Sequence, residues 1–327
     1  MSVENNYALK VFSGRISQAL TQRICARLNM PMGQARIESF PDSETIVKLE
    51  DDVRGRDCFV VLSTGSPVNE NLMELLIFID CLKRASARRV TAVVPYFGYA
   101  RQDRKDEGRV PITAKLVANL ITAAAADRVL AVDLHAAQIQ GFFDIQVDHL
   151  TASPVFVDYF LSRRDQLGDL CLLSPDLGNV KVAESFALLL GGDLAIINKR
   201  RISGSEVVTD NIIGNVKGKT VLMVDDMVST GGTLCEAADL AVRCGAKQII
   251  AAATHPVLAG KAVERLCRSP ISQLVVTDTI PLNENVGPLM PKIEVLSVGD
   301  LLGDAIDRIH RNLSISALFK RTAGVKR

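Results

Sequence analysis

The segment Val224-Asp225-Asp226-Met227-Val228-Ser229-Thr230-Gly231-Gly232-Thr233 carries the densest chemistry in this chain of 327 residues. Gly231 and Gly232 let backbone amides approach an anion closely, and Ser229, Thr230 and Thr233 add hydroxyl donors. The segment follows an apolar run and opens a helical pattern, so a helix N-terminus adds a favourable dipole. Together these features describe a phosphate cradle. Asp225 and Asp226 stand just before it, a sugar ring's distance from the phosphate, where carboxylates accept bonds from ribose 2- and 3-hydroxyls. A Gly-Gly turn alone reads as an N-capped helix. The paired acids with Ser-Thr-Gly-Gly-Thr favour a ligand site.

Four further clusters also follow apolar runs. Tyr96-Phe97-Gly98-Tyr99-Ala100-Arg101-Gln102-Asp103-Arg104-Lys105 places several cations after Pro95. Such a set suits a polyphosphate chain, although a solvated basic loop is the commoner meaning of a charge run. In Asp133-Leu134-His135-Ala136-Ala137-Gln138, His135 is a structural residue, a Mg2+ ligand or a partner of a phosphate oxygen. Asp176, in Ser174-Pro175-Asp176-Leu177-Gly178-Asn179, is a candidate metal carboxylate. Asn198-Lys199-Arg200-Arg201, followed by Ser203-Gly204-Ser205, reads as a mobile cationic loop able to close on a transferring phosphoryl group. The P-loop and Gly-x-Gly-x-x-Gly patterns are both missing from the sequence, so the usual ATPase and dinucleotide-binding readings fail.

The elements that must position these loops follow from periodicity. Cys58 to Leu62, Val90 to Val94, Val129 to Val132, Leu170 to Leu173, Leu194 to Ile197, Thr220 to Val224, Gln248 to Ala252 and Gln273 to Val276 read as buried strands. Asn71 to Lys83, Thr113 to Ala124, Val180 to Leu190 and Thr233 to Cys244 have helical spacing. This alternation predicts parallel sheets covered by helices, with ligands beyond the carboxyl ends of the strands. The pattern occurs twice, and DRVLAVDLH aligns by eye with KQIIAAATH. Two similar α/β domains are expected, residues 1–150 and 151–299, and a helix over Asp300 to Arg311 is expected to close the chain on one of them.

Lys plus Arg number 38 and Asp plus Glu 37, so a dedicated nucleic-acid or anionic-membrane surface is not expected. No apolar run reaches the length of a membrane span, and no secretory pattern opens the chain. The seven dispersed cysteines contain no Cys-x-x-Cys pair, which argues against zinc and for reduced thiols in the cytoplasm.

The cradle resembles the PRPP-binding loop of type I phosphoribosyltransferases and PRPP synthases. Asn69 to Lys105, Pro111 to Leu120, Asp133 to Leu150, Leu194 to Arg201 and Val275 to Pro281 extend the resemblance to the ribose-phosphate pyrophosphokinase (PRPP synthase) family over nearly the whole chain. It implies two type I phosphoribosyltransferase-like domains and transfer of the diphosphate of Mg-ATP to C1 of ribose 5-phosphate. It also implies roles. Arg101 and Gln102 would hold ATP, and His135 and Asp176 would serve the Mg-ATP complex. Lys199 and Arg201 would be the catalytic cations. Asp225, Asp226 and Ser229 to Thr233 would bind ribose 5-phosphate. Phe40, Asp42 and Glu44 would reach the adenine site of a neighbouring subunit in a homo-oligomer, commonly a hexamer built from dimers. An allosteric anion site would involve Arg54, Ser86, Ser314, Ser316 and Phe319, with Asp52 where some members carry Ser. Ser229 stands where Asp is usual, and Gly178-Asn179-Val180-Lys181-Val182-Ala183 replaces Gly-Gly-Val-x-Arg-Ala. A phosphoribosyltransferase would not need the first-half cationic motifs, and a non-catalytic homologue would be expected to have lost the loop cations or the cradle.

Overall fold

The computed structural model describes residues 8–202 and 206–319, with side chains described throughout except at 199–202, 206–210 and 319. The described chain forms two compact units. One runs to Ala152 and takes in Thr279–Pro281 and the segment from Ser297 onward. The other consists of Ser153–Asp278 and Leu282–Leu296.

The first unit contains β1 (Leu9–Ser13), α1 (Gln18–Arg27), β2 (Ala35–Ser39), β3 (Thr45–Leu49), β4 (Asp57–Val61), α2 (Val68–Arg84), β5 (Arg89–Val94), α3 (Thr113–Ala123), β6 (Arg128–Val132) and β7 (Gln146–Leu150). Five of the strands form a parallel sheet in the order β1-β4-β5-β6-β7. Strand β4 is buried along its whole length, which is why it reads as a continuous apolar run rather than an alternating one. Alternate residues such as Val60, Ala92 and Val94 join Leu75, Phe78 and Ile79 of α2 and Val117 and Ile121 of α3 in one core. Strands β2 and β3 form a separate antiparallel hairpin, in which Ser39 faces Thr45 just before the turn.

The second unit contains α4 (Ser153–Leu161), α5 (Arg164–Leu167), β8 (Leu170–Ser174), α6 (Val180–Leu190), β9 (Asp193–Ile202), β10 (Glu206–Ile213), β11 (Thr220–Val228), α7 (Gly232–Arg243), β12 (Gln248–Pro256), α8 (Ala262–Arg268), β13 (Ile271–Thr277) and β14 (Ile293–Leu296). The sheet order is β10-β9-β8-β11-β12-β13-β14, with every neighbouring pair parallel except β9 and β10. Chain progression reverses between β8 and β11, so the crevice for a ligand lies at the carboxyl ends of those two strands. The chain then returns to the first unit through α9 (Gly299–His310) and ends its described part in α10 (Ser316–Phe319). Helix α9 packs closely on α1. A Cβ at Gly303 would lie 2.8 Å from Arg27 Cγ, and Arg27 pairs with Asp304 at 2.7 Å.

The expected mainly parallel sheets with covering helices are present. Two local expectations need correction. Asn198 to Arg201 do not leave β9 as a loop. The strand continues to Ile202, because β10 folds back and pairs with it, Lys199 opposite Asp210. The side chains of Lys199 and Arg201 lie outside the described residues. Likewise β11 does not stop before the acid pair but runs through Asp225 and Asp226 to Val228, hydrogen-bonded along β12. Among the described residues, no helix is long and apolar enough to cross a membrane.

Candidate active site

At the switch point of the second unit, Asp176 sits in the turn that leaves β8. Its Oδ1 accepts hydrogen bonds from the amides of Gly178 at 2.8 Å and Asn179 at 3.0 Å. The Ser174 hydroxyl donates to the Asp176 carbonyl at 2.7 Å and tightens the turn further. Asn179 Nδ2 then donates to the carbonyl of Val224 at 2.6 Å, which ties this turn to the residue before the acid pair. The Asp226 amide donates to Asp225 Oδ1 at 2.9 Å. Burial, reinforced by the neighbouring Asp226 carboxylate and by Asp176, pushes the Asp225 carboxyl up to about 7. Crowded acids of this kind hold a proton until a cation or hydroxyl donors relieve them.

After Val228 the chain turns through the cradle. Gly231 has φ +72°, a left-handed conformation that favours glycine, and it caps the N-terminus of α7. The turn is steadied from outside its own sequence. Arg265 of α8 donates from Nη1 to the Thr230 carbonyl at 3.2 Å, and the same nitrogen would lie 3.5 Å from a Cβ at Gly232. Ser229, Thr230 and Gly231 thus form the turn that follows β11, and Gly232 and Thr233 open α7. Arg265 and the role of Asn179 were not read from the sequence. Arg265 lies some thirty positions downstream with no local motif, whereas Asn179 was visible only as a departure from a family pattern.

In the first unit, Arg101, Gln102, Asp103, Arg104, His135 and Gln138 line one cavity of about 470 Å³ at the carboxyl ends of β5 and β6. The loop after β5 is held by Thr64, whose Oγ1 accepts from the Gly98 amide at 2.6 Å. A Cβ at Gly98 would lie 2.5 Å from the Thr64 carbonyl oxygen, so only glycine allows this approach. Gln102 is anchored at α3 by Thr113, whose hydroxyl donates to Oε1 at 2.5 Å. Gln138 donates to Asp103 at 2.9 Å and links the two loops. Behind His135, His149 Nε2 accepts the Leu134 amide at 2.9 Å, a bond that needs the neutral imidazole, and Gln140 Nε2 lies 3.3 Å from its Nδ1. Burial lowers the His149 pKa, outweighing the nearby Asp133 carboxylate.

The remaining candidates lie elsewhere in the first unit. Phe40 is 49% exposed at the turn of the β2–β3 hairpin. The turn closes on itself, with the Phe40 amide donating to the Glu44 carbonyl at 2.8 Å and the Glu44 amide to Asp42 Oδ1 at 3.1 Å. Asp52 Oδ1 accepts from the Arg54 amide at 3.1 Å, while the Arg54 guanidinium donates to the Ser86 hydroxyl at 3.1 Å. The Arg54 guanidinium is therefore engaged by Ser86, while its amide is taken by the Asp52 carboxylate. The Ser314 hydroxyl donates to Ser316 Oγ at 3.0 Å, and the Phe319 side chain lies outside the described residues.

Among the described residues, no three His, Cys, Asp or Glu side chains converge as a metal cage.

Two mainly parallel α/β units, one with a left-handed glycine turn and an acid pair at its switch point and the other with a cavity of mixed charge at its strand ends, define a protein of the phosphoribosyltransferase-like class. Residues 9–125 match the family model for the N-terminal domain of ribose phosphate pyrophosphokinase, and residues 178–320 match the phosphoribosyl synthetase-associated domain. The chain is 56% identical to a ribose-phosphate pyrophosphokinase of Rhodopirellula baltica, covering 95% of this chain and 98% of that one. It is 50% identical to the enzyme of that name from Gloeobacter violaceus, over 95% and 93% of the two chains. The crystal structure of phosphoribosylpyrophosphate synthetase from Mycobacterium smegmatis superposes with a TM-score of 0.86 at 42% identity, covering 93% of this chain and 99% of that one. The chain belongs to the ribose-phosphate pyrophosphokinase family.

Proposed function

We propose that this chain transfers the β,γ-diphosphate of Mg-ATP to the C1 hydroxyl of ribose 5-phosphate, giving PRPP and AMP. The observation that carries the reading is the pairing, at the β8/β11 switch point, of the crowded Asp225–Asp226 acids with the left-handed glycine turn that opens α7. Ribose hydroxyls satisfy the acids, and the 5-phosphate takes the amides and hydroxyls of Ser229 to Thr233. Arg101 and Gln102 hold the nucleotide, while Lys199 and Arg201 neutralise charge as it moves. His135 and Asp176 would hold Mg2+, which would supply charge neutralisation on the polyphosphate. The C1 oxygen forms a bond to the β-phosphorus as the bond from that phosphorus to the bridging α,β-oxygen breaks. AMP departs with that electron pair and the hydroxyl proton is lost to water. The protein's contribution is alignment and charge neutralisation, with no covalent intermediate.

The same reading gives Phe40, Asp42 and Glu44 the base of a nucleotide in a neighbouring subunit, within a homo-oligomer that we take to be a hexamer built from dimers in the cytoplasm. Family membership supports the synthase over a phosphoribosyltransferase, and the first-unit cavity, with Arg101 and Arg104 on its wall, is in keeping with it. The test is product analysis with ATP, ribose 5-phosphate and Mg2+. AMP and PRPP should appear in equal amounts. No AMP release would reject the reading, and consumption of supplied PRPP with a nucleobase and release of pyrophosphate would favour the transferase.

A further inference from the structure

Arg15 and Glu74 form an ion pair that the proposed chemistry does not use. Glu74, on α2, is only 1% exposed, and both of its carboxylate oxygens are taken by one residue. The Arg15 amide donates to Oε1 at 2.8 Å and Arg15 Nε to Oε2 at 2.5 Å. The preceding residue packs against the same carboxylate, since a Cβ at Gly14 would lie 2.9 Å from Glu74 Oε1. A buried carboxylate needs such partners, and one salt bridge would serve that need alone. The guanidinium does more. With Nε fixed on Glu74, its two terminal nitrogens point away along the planar fork. Nη1 donates to Ser39 Oγ at 2.9 Å and Nη2 to Thr45 Oγ1 at 3.3 Å. Ser39 is the last residue of β2 and Thr45 the first of β3, and they are the facing pair that closes the hairpin before its turn. One side chain, braced from the core, therefore grips both strands at the point where the turn leaves them.

We infer that Arg15 is a positioning residue for nucleotide binding, in that its Glu74-braced guanidinium holds the mouth of the β2–β3 hairpin and so fixes the direction in which the turn presents Phe40, Asp42 and Glu44. The inference rests on the reading of that turn as the contact for the nucleotide base. The hairpin itself does not need Arg15. Its strands are paired in register from Ala35 to Leu49, and Val47 is buried in the core of the unit. Beyond Ser39 and Thr45, however, all five turn residues are exposed, and the bonds described for them are internal to the turn. The grip at the mouth is the link between the turn and the rigid sheet. Lysine would not replace it, because a single ammonium on a flexible stem cannot hold Glu74 and reach both hydroxyls with fixed geometry.

The chain has no tryptophan, so Phe40→Trp introduces a single reporter at the turn. In that background Arg15→Ala, Arg15→Lys and the double variant Ser39→Ala/Thr45→Ala should each increase the local motion of the indole seen in time-resolved anisotropy. The double variant leaves the Arg15–Glu74 pair intact and covers the case in which Arg15→Ala fails to fold. With Phe40 restored, the same variants should raise KM for ATP about fivefold, the scale of ordering a short loop on binding. KM for ribose 5-phosphate and kcat should stay within about twofold. Unchanged indole anisotropy in the folded variants would overturn the inference, as would an unchanged KM for ATP. If the parent protein released no AMP, the functional reading would fall, and the anisotropy would still decide whether Arg15 orders the turn.

Discussion

Replacing Asp225 with asparagine should stabilise the ligand-free protein at neutral pH while crippling its use of ribose 5-phosphate. Asparagine keeps the Oδ1 acceptor for the Asp226 amide, 2.9 Å away, and its NH2 can donate to the Asp226 carboxylate as a protonated Asp225 would. What it removes is a buried negative charge. The Asp225 carboxyl is raised from an ordinary 3.8 to about 7. A shift of that size corresponds to roughly 4 kcal/mol held against the ionised form. The acid pair shares one proton and is partly open to water, so about half of that, ~2 kcal/mol, is the working figure. The sign follows from proton binding. Between the unfolded and folded values the native state holds the proton more tightly, so stability falls as pH rises through that range and the deficit is complete above the folded value. The variant should therefore melt about 4–8 °C higher than the parent at pH 8, with the difference shrinking toward zero near pH 4. Calorimetry across that range, without nucleotide or sugar, measures it. In the activity assay the loss of a charged acceptor for a sugar hydroxyl should lower kcat/KM for ribose 5-phosphate by roughly 10- to 100-fold. A melting difference that is absent at pH 8, or that does not change with pH, would refute the electrostatic argument.

The candidate cradle is legible because its residues are contiguous. Ten residues from Val224 to Thr233 supply the acids, the hydroxyls and the glycines, and no distant contact is needed to recognise them. The inner strands β4 to β6, β8, β9 and β11 to β13 were legible for a related reason, since burial on both faces writes them as apolar runs such as CFVVL and VTAVV, whereas the edge strands β1, β7, β10 and β14 were not read. The β2–β3 hairpin lacks that signature. ARIES has no buried residue, and TIVKL buries Val47 alone, so neither reads as a strand without its partner. The extension of β9 through Lys199 was hidden likewise, because its backbone bonds come from β10 and the intervening residues look like a cationic loop. Residues that act across the fold leave still less trace. Arg15 meets Glu74 at a separation of 59 positions, and Arg265 meets Thr230 at 35. Only folding brings each pair together, and no spacing rule along the chain anticipates either.

Lys199→Ala and Arg201→Ala should each lower kcat by roughly 100-fold with little change in either KM, as steady-state kinetics would show, because the charge they neutralise develops mainly in the transition state. His149 accepts the Leu134 amide only while neutral, and its lowered pKa means that its contribution is present above the ordinary value of 6.5 and is lost as pH falls below it. The parent should thus lose melting temperature between pH 7 and pH 5 more steeply than His149→Gln, and parallel pH profiles would remove His149 from the account. The candidate anion site around Arg54 should respond only weakly to phosphate. Phosphate arriving there must displace the Ser86 hydroxyl from the guanidinium, and it meets the Asp52 carboxylate, whose Oδ1 already takes the Arg54 amide. Asp52 is exposed, so the repulsion is that of like charges in water, about 1 kcal/mol at 4 Å for each pair of unit charges. Together with the lost amide donor this should make activation by inorganic phosphate weak, leaving inhibition by ADP mainly competitive with ATP. Asp52→Ser should restore a donor and lower the phosphate concentration for half-maximal activation by about fivefold, measured at fixed free Mg2+ and fixed ionic strength. Steep activation of the parent by millimolar phosphate, with an unchanged midpoint in Asp52→Ser, would show that this carboxylate does not govern the site.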